Sequence, residues 1–170
     1  MKKFLFTLVL ALTIQIVNAQ DLFSAARENN IAKIEQLITN GAEINAANER
    51  GYTPLILAVY NNNKEAVKVL LAHGANPNAQ DKSGNNALMG AAFRGYPAMV
   101  NLLIENKADV NQVNYNGATA LIFAVTFGQN QIAKQIITAG ADLSLKDNNG
   151  KTAKDHAILQ GNNEIIEFLK

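Results

Sequence analysis

A chain of 170 residues with 15 basic and 14 acidic side chains, formal charge +1, lacks the charge excess that draws a protein to nucleic acid or to an anionic membrane. With no cysteine, disulfides, thiolate metal sites, cysteine nucleophiles and a lipid-modified N-terminal cysteine are excluded. About 150 residues are enough for one domain that buries roughly 70% of its unfolded surface, so the core alone must hold it.

The chain opens MKKFLFTLVLALTIQIVNAQ. Lys2 and Lys3 give a positive start, Phe4 to Val17 are apolar apart from Thr7, Thr13 and Gln15, and Val17-Asn18-Ala19 carries a small residue at the last position. This layout predicts a secretory signal peptide over residues 1–19, cleaved after Ala19. An apolar stretch of about 14 residues is too short to span a bilayer of ~30 Å. Removing Lys2 and Lys3 leaves 13 basic against 14 acidic residues. The remaining chain is therefore expected in the periplasm or outside the cell, without a membrane anchor.

From residue 20 the chain is periodic. Gly51, Gly84, Gly117 and Gly150 recur every 33 residues with their neighbours. GYTPLILAVYNNNKEAVKVLLAHGANPNAQDKS is followed by GNNALMGAAFRGYPAMVNLLIENKADVNQVNYN, then GATALIFAVTFGQNQIAKQIITAGADLSLKDNN, then GKTAKDHAILQGNNEIIEFLK. The segment ahead of them is in phase but lacks the Gly-x-Thr-Pro opening. The units predicted are 20–50, 51–83, 84–116, 117–149 and 150–170, the first and last acting as caps, because stacked repeats bury their apolar faces only against neighbours.

Within each unit the pattern predicts two helices. Thr53, Asn86, Thr119 and Thr152 are suited to cap the first, and Pro54 fits its first turn. Apolar residues at the fourth, seventh and eighth positions after the glycine form a helical stripe: Leu55/Ala58/Val59, Leu88/Ala91/Ala92 and Leu121/Ala124/Val125. A break follows at Asn61-Asn62-Asn63, Gly95, Gly128 or Gly161. The second helix repeats the stripe at Val67/Leu70/Leu71, Val100/Leu103/Ile104 and Ala133/Ile136/Ile137. Gly41, Gly74 and Gly140 suit the left-handed residue that closes a helix, with Lys107 in the same place.

Thr53-Pro54-Leu55, the LL-x-x-GA-x-x-N of Leu70 to Asn78, and the segments GAEIN, ADVN and GADLS resemble the ankyrin repeat family over essentially the whole chain after residue 19. The resemblance implies an all-α ankyrin-repeat solenoid of helix-turn-helix units joined by β-hairpin-like turns, with five units including two caps. The histidine usual after Thr-Pro-Leu is replaced by Ile56, Met89, Ile122 and Asp155. Lys154 takes the core leucine position in the last unit, which suits a water-facing cap.

The resemblance also implies that turns and first helices line a concave side that binds another protein. Positions six, nine and ten of the first helix then form the open stripe, and turn residues flank it. Arg50, Tyr52, Leu57, Tyr60, Phe93, Arg94, Tyr115, Phe123 and Phe127 are the expected binding residues. Phe4 and Phe6 lie in the leader, so six of the nine remaining aromatic residues fall on this face. Aromatic residues with arginine are the make-up of binding hot spots.

A module that binds a protein partner, as a monomer and without a cofactor, is the expected function. A role as accessory or immunity protein for one exported enzyme or toxin is compatible. A flat apolar ligand such as haem, held by His156 or Met89, is the alternative in another class. Catalysis is not expected. His73 and His156 are the only histidines, no carboxylate pair is forced together, and the glycines serve turns, not a phosphate loop.

Overall fold

Thr53, Asn86, Thr119 and Thr152 each leave the backbone extended at a helix start. Their side-chain oxygens accept the amide three residues on, from Ile56, Met89, Ile122 and Asp155 at 2.9–3.2 Å. Asp155 returns the bond to the Thr152 amide, completing a capping box. All four expected caps therefore form.

The structure, a computed structural model, describes residues 21–169; the leader expected at 1–19 lies outside them. Among the described residues there are ten helices and no strand. They are α1 (21–27), α2 (Ile31–Thr39), α3 (Pro54–Tyr60), α4 (Lys64–Ala72), α5 (Ala87–Arg94), α6 (Pro97–Glu105), α7 (Ala120–Thr126), α8 (Asn130–Thr138), α9 (Ala153–Leu159) and α10 (Asn163–Phe168). No described helix is long and apolar enough to cross a membrane. The helices form two compact units, one ending at Asn76 and one beginning at Pro77.

In the first unit α3 packs on α4 and α2 on α4, around Leu22, Ile34, Leu55, Val67 and Leu70. Asn63 Nδ2 donates to the Ala26 and Arg27 carbonyls at 2.9 and 2.7 Å, and Asn29 Oδ1 accepts the Ala66 amide at 3.0 Å. These bonds satisfy the end of α1 and the start of α4, where helix termini have no internal partners.

In the second unit α5, α7 and α9 pack in succession, as do α6, α8 and α10. Leu88, Met99, Leu103, Leu121, Ile132 and Ile136 are fully buried there. Each such side chain contributes about 1.5–3 kcal/mol by leaving water. Lys134 Nζ meets Glu164 Oε1 at 2.6 Å, and Asn130 and Asn162 exchange hydrogen bonds, linking α8 to α10. Lys154 is exposed while Ala153 and Ala157 are buried.

The first-helix stripe is buried as expected. The second-helix stripe is centred one residue earlier: Ala66/Val67/Leu70, Met99/Val100/Leu103 and Ile132/Ala133/Ile136 are buried, whereas Leu71, Ile104 and Ile137 are half-buried. Each second helix packs against both its own first helix and a neighbouring second helix, which turns the buried face away from the simple i, i+3, i+4 set. Helix closure follows the sequence. Gly41, Gly74 and Gly140 have φ of +80°, +89° and +92°, and Lys107 takes the same left-handed conformation at +66°.

Candidate functional site

The turns leading into the first helices are built by one side chain each. Asn48, Asp81, Asn114 and Asp147 stand three residues before the recurrent glycines. Their Oδ1 atoms accept the amides two and four residues on: Arg50 and Tyr52, Ser83 and Asn85, Asn116 and Ala118, Asn149 and Lys151, all at 2.8–3.0 Å. One carboxamide or carboxylate thus adds to the backbone bond across each turn, in which the amides of Asn48, Asp81, Asn114 and Asp147 donate to the carbonyls of Tyr52, Asn85, Ala118 and Lys151. A second column, Asn45, Asn78 and Asn111, accepts the amides of Asn76, Asp109 and Asp142 at 2.7–2.8 Å. Both columns lie in the sequence at the 33-residue period but carry no apolar signal, and an apolar reading passes over them.

In the second unit the turns also bond to each other. The Tyr115 amide donates to the Ser83 carbonyl at 3.1 Å and the Asn148 amide to the Asn116 carbonyl at 2.9 Å. Gly84 is required there. Its φ is +79°, and a Cβ on it would stand 2.6 Å from the Tyr115 nitrogen and 2.7 Å from the Tyr115 ring. This hairpin-like lattice sets the first helices side by side.

In the first unit Tyr52 and Tyr60 lie with ring centroids 5.8 Å apart at 44°, both half-buried, and Arg50 is exposed in the turn. Leu57 was expected on the open stripe but is only 7% exposed and belongs to the core. Position six is enclosed in each first helix: Leu57 and Gly90 are buried, and Phe123 and His156 half-buried. These helices of seven or eight residues are packed on more than one side, so their apolar face is wider than the three-residue stripe. The surface emerges at positions nine and ten.

In the second unit positions nine and ten carry an aromatic cluster. Phe93, 41% exposed, meets Phe127, 48% exposed, edge-on at 4.7 Å. Phe127, which closes α7, also stacks with Phe123 at 6.2 Å and 18°. Edge-to-face and offset pairs of this kind are worth about 0.5–1.5 kcal/mol beyond their burial. Arg94 is exposed, but its guanidinium lies 5.7 Å from the centroid of Tyr96, a residue absent from the expected set. Tyr115, the most exposed of these rings at 68%, stands in the turn on Gly84.

The ligands considered for a flat cofactor are otherwise engaged. Met89 is 1% exposed, a core residue of α5, and cannot reach a ligand. His156 Nε2 lies 2.8 Å from Asp147 Oδ2, with side chains 18% and 8% exposed. Residue spacing does not announce this pair, since the two residues are nine apart across a turn and a cap. The Lys151 amide, then His156 and the Asn149 amide, hold the Asp147 carboxyl down to about 2 against the opposing effect of desolvation. Among the described residues no three histidine, aspartate or glutamate side chains are grouped to hold a metal ion.

A family model described as ankyrin repeats (3 copies) matches residues 22–114 and again residues 88–170. The chain belongs to the ankyrin-repeat family. No curated protein matches it. Ankyrin repeats are in general non-enzymatic modules for protein–protein interaction, and the helix pairs, caps and turn ladders above are those of this ankyrin-repeat chain.

Proposed function

We infer that this ankyrin-repeat protein is a non-enzymatic binding module that acts outside the cytoplasm and takes a partner protein on its turns and first helices. One observation carries the reading. Of the large exposed hydrophobic side chains among the described residues, Phe93, Val113, Tyr115, Phe127, Ile158 and Leu159 lie in turns and first helices, and only Phe168 lies elsewhere. Scattered exposed apolar residues need no explanation, but concentration on one kind of element marks interaction surfaces. The external location is supported by the leader-like segment at residues 1–19.

The experiment is a crosslinking pull-down from envelope and medium fractions. It compares the tagged parent with a Phe93→Ser/Phe127→Ser variant and a Tyr52→Ser/Tyr60→Ser variant, each first shown to fold. A partner held by the parent and lost with the phenylalanine variant is the expected result. Equal capture by parent and phenylalanine variant would remove that surface from the binding site. No capture in either fraction would defeat the reading itself, as would an uncleaved leader on protein recovered only from the cytoplasm.

A further inference from the structure

The turns of the unit that begins at Pro77 repeat one contact. Ser83, Asn116 and Asn149 each stand directly before a recurrent glycine. The Ser83 carbonyl accepts the Tyr115 amide at 3.1 Å, and the Asn116 carbonyl the Asn148 amide at 2.9 Å. Each donor residue also lays its planar side chain on the glycine. A Cβ on Gly84 would stand 2.7 Å from the Tyr115 ring, and one on Gly117 would stand 2.9 Å from Asn148 Oδ1. At the third turn, among the described residues, the Asn149 carbonyl accepts no hydrogen bond, and a Cβ on Gly150 would meet nothing within 4 Å. Gly150 opens instead onto a cavity of about 380 Å³ that it shares with Lys151, Asp155, Ile158 and Leu159. Ile158 is 55% exposed there, whereas Val59, Ala92 and Val125, eight residues after their own glycines, are 0% exposed.

We propose that this third turn is an open edge of the lattice and takes an extended segment of a partner protein that carries a tyrosine. A main-chain amide of the segment donates to the Asn149 carbonyl, and the ring lies on Gly150 against Ile158 and Leu159. The contact made twice between turns of this chain is the pattern for it, and addition of an extended segment to a main-chain edge is a general mode of peptide recognition. The carbonyl supplies the bond and the cavity selects the side chain. A tyrosine suits both, since its ring buries against the glycine and two aliphatic side chains while its hydroxyl stays in water. Lys151 and Asp155 put one charge of each sign on the wall, so the site does not select by the partner's charge. Lys154 is exposed where Leu55, Leu88 and Leu121 are buried, so the occupant is a segment over the turn and not a further pair of helices. A second copy meeting this end with its own last turn would set carbonyl against carbonyl without a donor between them. The site shares with the interaction reading only that the partner is a protein, and it rests on the turns, not on Phe93 and Phe127.

The test is an NMR titration of the purified, isotope-labelled chain with a synthetic peptide copying residues 108–118, ADVNQVNYNGA, Tyr115 included. The expected result is a set of shifts at Gly150, Lys151, Ile158 and Leu159, with the Asn149 carbonyl carbon moving downfield as it accepts a hydrogen bond. Tyr115→Ala in the peptide should weaken binding at least about tenfold, as loss of a hot-spot ring does. Gly150→Asn in the protein should weaken it as much, because it fills the shelf with a residue that tolerates positive φ. Gly128→Asn, beyond the far end of α7 with φ of +68° and nothing within 4 Å of its Cβ, should leave binding unchanged. No shift, shifts confined to Phe93 and Phe127, equal binding of the alanine peptide, or equal effects of the two glycine variants would overturn the proposal. Shifts at Gly150 that grow with protein concentration before any peptide is added would give this end to a second copy and overturn it as well. A partner captured in the pull-down with a silent titration removes this site and leaves the interaction reading, and a peptide held at Gly150 with no partner captured does the reverse.

Discussion

Lys107 occupies a place where the chain otherwise uses glycine, and replacing it tests how the helices are closed. Its φ is +66°, against +80°, +89° and +92° at Gly41, Gly74 and Gly140. A side chain in the left-handed region costs roughly 1–2 kcal/mol. Against this relief stand about 0.4–1 kcal/mol for the greater freedom of glycine in the unfolded chain. The loss of a positive charge near the end of α6 costs a further ~0.3 kcal/mol at an exposed site. Lys107 is exposed, so no packing is lost, and its carbonyl, which accepts Asn78 Nδ2, remains. The balance is about 0.5 kcal/mol in favour of Lys107→Gly, or roughly 1.5 °C in Tm for a chain of this size. Urea unfolding of the parent, Lys107→Gly and Lys107→Ala measures it. The glycine variant should have the highest midpoint at unchanged slope, and the alanine variant should not exceed the parent. A glycine midpoint at or below the parent would refute the strain account.

Three further outcomes follow from the same geometry. Gly84→Ala should destabilise by about 2 kcal/mol or more, because strain at positive φ adds to a collision with the Tyr115 backbone; a loss under about 0.5 kcal/mol would mean that the turns yield easily. Thr119→Ala should cost about 1 kcal/mol through its lost cap and Thr119→Ser much less, so equal losses would assign the effect to packing. The Asp147 carboxyl is held at about 2, below its ordinary 3.8, first by the Lys151 amide. A depressed carboxyl contributes stability that is present above the unfolded value and lost as pH falls toward the folded one. Asp147→Asn should therefore show a shallower loss of urea midpoint between about pH 4 and 2, and a loss parallel to the parent's would contradict the assignment.

Much of the fold was legible because its signals are local or periodic. Thr53, Asn86, Thr119 and Thr152 cap their helices as a short polar side chain before an apolar run should, and Lys107 adopts the glycine conformation its place in the period demands. The errors lie where burial depends on packing from several sides. Leu57 and Met89 read as accessible because a single stripe divides a helix into inside and outside, but Pro54 to Val59 and Ala87 to Ala92 are buried without a break. The turn-building Asn48, Asp81, Asn114 and Asp147 were invisible to a reading of apolar residues, although their period is the same. The clasp of His156 to Asp147 is a contact between two polar side chains, which no spacing rule announces.

The same columns explain why equivalent aromatic residues end in different environments. Tyr60 and Phe93 both stand nine residues after a recurrent glycine. Beside Tyr60, the residue directly after the glycine is Tyr52, and the two rings lie against each other and are half-buried. At the later repeats that place holds Asn85, Ala118 and Lys151, none of which offers a ring. Phe93 therefore turns to Phe127, the next repeat's position-ten residue, and an edge-on pair at the end of two short helices leaves nearly half of each side chain in water. An aromatic residue in the place of Asn85 would give up the bond that Asn85 Oδ1 accepts from Asn114 Nδ2 at 2.8 Å, which ties one turn to the next. The exposed pair thus follows from side chains particular to these repeats and not from the period they share, and Phe93 and Phe127 are exposed where Tyr52 and Tyr60 are half-buried, which is why the search for a partner begins at the phenylalanines.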